Sequence, residues 1–134
     1  MAMLSHMPRR SYDQYCAVAR ALDAVGERWS LLIVRELLDG PRRYTDLHAD
    51  LPGVSTDILA TRLKQLEGEG VVERRKLERP ANAVVYQLTE RGLRLRRVVD
   101  ALGAWGLDDL GEPRPTDAVR EHWVTGGPSV APTG

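Results

Sequence analysis

The stretch that most constrains the fold is residues 55–69, which read Ser-Thr-Asp-Ile-Leu-Ala-Thr-Arg-Leu-Lys-Gln-Leu-Glu-Gly-Glu. Ser55 is a natural N-cap, because its hydroxyl can accept a hydrogen bond from an amide of the first turn. Asp57 suits the positive end of a helix. Helical spacing places Ile58, Leu59, Leu63 and Leu66 on one side, and Asp57, Ala60, Thr61 and Lys64 on the other. The stretch therefore predicts a short helix, ended by Gly70, with one buried stripe and one polar face.

Three further helices are predicted before this one, at residues 14–24, 28–38 and 46–50. In the first, Cys16, Ala19 and Leu22 are expected to face inward. Gly40-Pro41 ends the second helix, and Thr45 is the expected N-cap of the third. Pro52-Gly53 makes a tight turn between the third and fourth helices, which is a helix-turn-helix arrangement.

Two strands and a last helix complete the predicted domain. Residues 71–77 and 84–88 read as a hairpin with a polar, turn-rich tip. Thr89 then caps a single helix of about twenty residues. The expected fold is mainly α with a small β-wing, a winged helix-turn-helix over residues 13–110. A flexible arm (1–12) precedes it, and a Pro/Gly-rich tail that need not fold (111–134) follows.

Composition narrows the function. The formal net charge is zero, but residues 1–99 carry +4 and the remainder −4, so the N-terminal part is modestly basic. The single cysteine precludes an internal disulfide, and the histidines are scattered, so no metal, cofactor or catalytic centre is expected. No apolar run approaches the ~18 residues of a membrane span, and no secretory signal is evident, so a soluble, cytoplasmic chain with no membrane partner is expected.

Several motifs in a fixed order resemble the HxlR-type winged helix-turn-helix regulators. The opening matches in Cys16, the pair Leu22-Asp23, Gly26, Trp29 and the aliphatic run that follows. The match continues through 35–44, 51–55, 62–67, 86–90 and Gly92. The chain departs from the family pattern at Thr56-Asp57, where a proline and a basic residue are common, and in its tail.

The resemblance implies a bacterial transcription factor related to the MarR proteins. It implies a homodimer built on the first and last helices, with two recognition helices entering successive major grooves of a near-palindromic operator on double-stranded DNA. A repressor located at the nucleoid is the expected form.

On this basis the fourth helix is the predicted DNA reader. Thr56, Asp57 and Thr61 are expected at base edges, and Ser55, Arg62 and Lys64 on phosphates. The alternative is a solvated helix face, and Arg62 also lies close enough to the apolar stripe for an internal structural role.

Basic residues elsewhere extend this predicted surface. Arg79 at the hairpin tip is expected to enter a minor groove, whereas Arg74, Arg75 and Lys76 are as readily solvated strand residues. Arg42 and Arg43, just before the third helix, are candidates for phosphate contacts.

Two features suggest regulation. Tyr12, Tyr15, Trp29 and Trp105 are the aromatics expected between the first, second and last helices, where they would hold a flat aromatic or apolar effector or simply fill a dimer interface. Cys16 near a helix start is a candidate redox sensor, or an ordinary small buried residue. A rival hypothesis is a protein that sequesters a small molecule on a winged-helix scaffold and binds DNA weakly.

Overall fold

The computed structural model describes residues 10–80 and 82–125. Within these ranges the chain forms mostly short helices and one antiparallel hairpin. The elements are α1 (Ala17–Val25), α2 (Ser30–Leu37), α3 (Tyr44–Ala49), α4 (Thr56–Gly68), β1 (Val72–Lys76), β2 (Val84–Leu88), α5 (Glu90–Leu93), α6 (Arg96–Leu107) and α7 (Glu121–Thr125). The predicted mainly helical fold with a two-stranded wing is confirmed. None of the described helices combines the length and apolar character needed to cross a membrane.

The core lies where α2, α3 and α4 meet the base of the hairpin. Its buried members are aliphatic, and they include Ile33, Leu37, Leu47, Leu51, Leu59, Leu63, Leu66, Val71 and Val72. Three of the four residues predicted for the buried stripe of α4 are thus in the core. Ile58, the fourth, is 37% exposed, because it sits in the first turn at the edge of the packed face.

The ends of α4 match the prediction. The Ser55 hydroxyl accepts a hydrogen bond from the Ile58 amide at 3.1 Å. Gly70 has φ +74°, a conformation that favours glycine, and the next amide, Val71 N–H, donates back to the Leu66 carbonyl at 2.9 Å. The chain then leaves the helix directly into β1, whose Val72 pairs with Leu88 of β2.

Thr89 ties the base of the hairpin to the helix that follows. Its hydroxyl donates to the Gly70 carbonyl at 2.6 Å and accepts from the Gly92 amide at 3.0 Å. Its own amide donates to the Val71 carbonyl at 3.0 Å. A Cβ added at Gly92 would lie 2.2 Å from that same Val71 oxygen. Only glycine at position 92 therefore allows α5 to pack this closely against the wing.

The single last helix predicted from the sequence is wrong. The chain forms α5 and then α6, separated by a turn at residues 94–95 in which the Leu95 amide donates to the Gly92 carbonyl. Leu95 has ψ −7°, which breaks the regular helical geometry. On the two sides of this break, α5 contacts β2 and α6 contacts α2.

Three helix starts also differ from the predictions. Cys16 is the N-cap of α1 and is exposed, and Leu22 is 43% exposed, so neither faces inward in this chain. Helix α2 begins after Trp29, whose φ of +80° turns the chain into the helix. Helix α3 starts one residue before the expected cap, because the Asp46 carboxylate accepts from the Arg43 amide at 3.2 Å and makes Arg43 the N-cap.

Residues of both the predicted arm and the predicted tail contact the helices of the domain, and residues 126–134 lie outside the described part. Tyr12 N–H and the Ser11 hydroxyl donate to the Asp23 carboxylate at 3.1 and 3.2 Å, which fixes the last residues of the predicted arm on α1; residues 1–9 lie outside the described part. In the predicted tail, residues 121–125 form α7, which contacts α2. That part of the tail therefore folds.

Candidate nucleic-acid interface

The polar face of α4 is open to solvent. Thr56, Asp57, Ala60, Thr61 and Lys64 are all exposed, as expected for a helix that meets a groove. Ser55 is also exposed, but its hydroxyl oxygen is already used as the cap of the helix. The side chains on this face are short except Lys64, so a partner surface can approach the helix closely.

Helix α3 supports the start of α4. The Tyr44 hydroxyl donates to the Thr56 carbonyl at 2.6 Å, across the turn of the helix-turn-helix. Burial raises the pKa of Tyr44, and the nearby Tyr86 and the Asp57 carboxylate raise it further, so this phenol stays a donor. The first turn of α4 is thereby held in a defined position relative to α3.

Arg62 belongs to a second support. Its Nε donates to the Arg28 carbonyl at 2.7 Å, and one terminal nitrogen donates to Gln65 at 3.3 Å. Trp29, which follows Arg28 in the sequence, has its indole against the turn at Gly53, where a Cβ would come within 3.7 Å of the ring. Arg62 therefore has the internal structural role that the sequence left open.

The wing presents a basic outer surface. Arg74, Arg75, Lys76 and Arg79 are all exposed. Arg75 donates to the Gln87 side chain at 3.2 Å, and Gln87 donates to Glu73 at 2.6 Å, so this arginine is positioned on the strand. Arg79 lies next to the hairpin tip, beyond the end of β1, where the sequence placed it.

The two arginines before α3 have different surroundings. Arg43 is exposed and makes only a long ion pair with Asp46, at 3.8 Å. Arg42 pairs with Asp50, lies 3.9 Å from Glu36, and exchanges backbone hydrogen bonds with Tyr86. Its guanidinium is therefore engaged inside the protein, unlike the phosphate contact suggested from the sequence.

A buried carboxylate, Glu36 of α2, was missed by the sequence reasoning. Its side chain is fully buried, and Arg35 pairs with it at 2.9 Å. Two partners come from residues 114–125, called here the C-terminal segment. His122 Nε2 lies 2.8 Å from Glu36 Oε1, and Trp123 Nε1 donates to Glu36 Oε2 at 2.7 Å. The sequence signal for it was a glutamate three residues after Ile33, on the buried side of the helix, where a charge needs partners.

The same network reaches α3 through Asp50. This carboxylate accepts from Arg42 and, at 3.2 Å, from Arg120 Nε of the C-terminal segment. Burial alone would raise the pKa of Asp50, but these two hydrogen bonds and the Arg42 charge outweigh it and lower that pKa. Burial lowers the pKa of Arg35, partly offset by Glu36. The sequence suggested that His122 is isolated, but in the structure it lies against Glu36.

Glu36, Asp50 and His122 bring possible metal-ligand atoms within 4.8 Å of one another. Their oxygens, however, already accept hydrogen bonds from Arg35, Arg42 and other donors of this network. A cation placed there would face three guanidinium groups. The cluster therefore has the chemistry of an internal ion-pair network and not that of a metal centre.

The four aromatics predicted for an effector pocket do not meet in this chain. Tyr12 is 60% exposed, Tyr15 is fully exposed and Trp105 is 77% exposed, whereas Trp29 packs against the core. A cavity instead lies between α2, α6 and α7, lined by different residues. Whether the exposed aromatics meet across two copies of the chain stays a prediction.

Comparison with known proteins agrees with this geometry. The family model described as HxlR-like helix-turn-helix matches residues 24–113. The chain is 40% identical over 96 residues to the HTH-type transcriptional regulator YodB of Bacillus subtilis (strain 168), covering 72% of this chain and 85% of YodB.

Solved structures extend the comparison. The quinone-bound form of YodB from B. subtilis matches with a TM-score of 0.59 and 35% identity, over 68% of this chain and 96% of that one. The redox regulator HypR in its oxidized form matches with a TM-score of 0.65 and 29% identity, over 69% and 96%. The winged helix-turn-helix, its open recognition face and the family match agree: the chain belongs to the HxlR-like helix-turn-helix family and is a transcriptional regulator of the HxlR/MarR type.

Proposed function

We propose that the protein is a repressor that binds a near-palindromic operator as a homodimer. The observation that carries the proposal is the open polar face of α4 beside an exposed basic wing. Two such units, related by a two-fold axis, would place their α4 helices in successive major grooves about 34 Å apart.

The exposed apolar residues of α1 and α6 support the homodimer. Helix α6 has no buried residue in the single chain, although it carries large apolar side chains. The exposed members on the two helices and just before α1 include Tyr15, Val18, Leu22, Val98, Leu102, Trp105 and Leu107. A folded chain rarely leaves so many large apolar groups in water on two helices, so a second copy is the expected cover.

We assign the DNA contacts to exposed side chains and leave out those whose polar groups are already engaged within the chain. Thr56, Asp57 and Thr61 would read base edges, Asp57 by accepting from a cytosine amine. Lys64 and Arg43 would contact phosphates, and Arg79 would enter the minor groove at the wing. The contact set leaves out Ser55, Arg62 and Arg42. Their polar groups are used within the chain, in the cap of α4, in the hydrogen bond to the Arg28 carbonyl and in the ion pair with Asp50.

Regulation by an effector or by cysteine chemistry is part of the proposal. Two proteins to which this chain is similar have been solved in such states, YodB with quinone bound and HypR in its oxidized form. Cys16 is exposed at the start of α1, so a thiol reagent can reach it in the single chain. Since the chain has one cysteine, a disulfide would have to join two subunits or a small thiol.

The test is selection of sheared genomic DNA on the purified protein at near-physiological salt, followed by titration of the enriched site. Thr61→Ala should reduce discrimination between sites, whereas Arg79→Ala should weaken all sites and lower the salt slope by about one. Arg114→Ala, an exposed arginine of the C-terminal segment, is the matched control and should bind as the parent does. Only weak, salt-sensitive binding without a shared sequence would contradict the proposal and favour the sequestering scaffold.

A further inference from the structure

The cavity between α2, α6 and α7 has a volume of about 350 Å³. Its apolar lining comes from Leu31, Leu32 and Leu38 on the α2 side, from Val99 and Leu102 on α6, and from Trp123. Cavities that bind small molecules in proteins have this size and this apolar character.

The outer wall of the cavity comes from the C-terminal segment, residues 114–125, which lies beyond the part of the chain that matches the family model. Trp123 forms that wall, and its position is set from two directions. Its Nε1 donates to the buried Glu36 carboxylate at 2.7 Å, and the Arg35 guanidinium lies over its ring at 4.3 Å from the centroid. The wall is therefore tied directly to a buried charge, and a ligand that displaces Trp123 acts on that charge.

We propose that this cavity binds a flat, neutral, apolar molecule of one or two fused rings, and that the C-terminal segment transmits its presence to α3. The charges in the lining argue for a neutral ligand. Arg35 is paired with Glu36, and Arg96 donates to the Leu38 carbonyl at 2.9 Å, with the acidic Asp39 beside them. The inference rests on the proposed function only for its effect on DNA.

The path from the cavity to α3 is a chain of contacts. Glu36 holds Trp123 on one side and faces Arg42 on the other, and Arg42 pairs with Asp50 at the end of α3. Arg120, three residues before Trp123, donates to both Asp50 and the Ala49 carbonyl, at 3.2 and 3.3 Å. Because α3 holds the first turn of α4 through Tyr44, a ligand that moves Trp123 shifts the support of the recognition helix.

The probe for the site is N-phenyl-1-naphthylamine, a neutral two-ring dye that brightens in apolar surroundings. The full chain should bind it saturably, with one dye per chain. Leu102→Trp, which fills the cavity from a half-exposed position, should weaken binding at least about tenfold. Ala101→Trp, one residue earlier on the exposed side of α6, should bind as the parent does. Unfolding curves and size-exclusion profiles establish that both variants fold and assemble alike.

Transmission is measured without DNA, by hydrogen exchange of the α3 amides with and without the dye. Protection of these amides should change on binding in the parent. Asp50→Asn, outside the cavity lining but within the Arg42 and Arg120 contacts to α3, should bind the dye but lose the change. The operator affinity, once an operator is known, should shift by about fivefold or more with the dye. Absence of saturable binding, or equal binding by both tryptophan variants, overturns the site. Binding with no change in α3 overturns the transmission, whatever the DNA experiment shows.

Discussion

The docking of Trp123 on Glu36 makes a sharp quantitative test, because a fully buried carboxylate holds a segment 87 residues away in sequence. Glu36→Leu puts an apolar side chain of similar size in place of the carboxylate, so Arg35 and Trp123 lose their acceptor, whereas Arg42 loses one ion-pair partner and keeps Asp50. Removing one partner of a buried ion pair costs about 3–5 kcal/mol, and since both arginine side chains are about a quarter exposed, we expect about 3 kcal/mol.

Trp123→Phe removes one hydrogen bond to a charged group, which is worth about 1.5–3 kcal/mol. We expect α7 to detach before the rest of the domain unfolds, which limits the loss in the global free energy of unfolding to the docking free energy of the segment. We therefore expect about 1.5 kcal/mol for this substitution.

The double variant isolates the contact. Because Trp123 acts through Glu36, the combined loss should fall short of the sum of the single losses by about 1–1.5 kcal/mol. The assay is urea unfolding followed by circular dichroism at one fixed protomer concentration, since self-association would change the apparent stability. Glu78→Gln, at an exposed position of the wing, is the control and should stay within about 0.5 kcal/mol of the parent. Additivity within about 0.5 kcal/mol would refute the docked arrangement.

Three further predictions concern separate contacts. The pKa of Asp50 is lowered in the folded protein, so this carboxylate stabilises the fold above its unfolded pKa of ~3.9, and the stabilisation is lost as the pH falls through the folded pKa. In a series of unfolding measurements at decreasing pH, Asp50→Asn should therefore lose less stability than the parent. An equal dependence of stability on pH in the two proteins would contradict the assignment. Gly92→Ala forces the backbone away from the Val71 oxygen and should cost about 3 kcal/mol in thermal or urea unfolding, whereas Gly68→Ala, with open space around it, should be neutral or stabilising. Ser55→Ala removes the cap of α4 and should cost about 1 kcal/mol, with Ser55→Asp retaining most of the stability if the cap is the reason.

The recognition helix was predictable because its determinants are local. The cap at Ser55, the aliphatic spacing through Leu66 and the glycine at position 70 all act within one or two turns, and the structure contains each of them. Ile58 was misplaced because spacing alone does not show where the packed face ends. The break of the last helix was missed for a related reason: Gly92 must approach the Val71 carbonyl, and that contact depends on the hairpin having folded.

The C-terminal segment could not be predicted in the same way. Its order depends on contacts between His122, Trp123 and Glu36 that span most of the chain, and proline- and glycine-rich surroundings favour an unfolded interpretation. A glutamate on the buried side of α2 was the one local sign that a partner was needed. The aromatic set proposed as an effector site was chosen by helix assignment, and Trp29 took a different place because the chain turns at positive φ there.

The hydrogen bonds around Thr89 have a mechanical consequence. Thr89 is hydrogen-bonded to the end of α4, to the start of β1 and to the start of α5. We therefore expect α4 and the wing to move together as one rigid body. Any adjustment to a poorly spaced operator would then fall on the joint at residues 94–95, between α5 and α6. In the homodimer proposed above, a change at this joint would alter the distance between the two α4 helices and leave the structure around each of them unchanged.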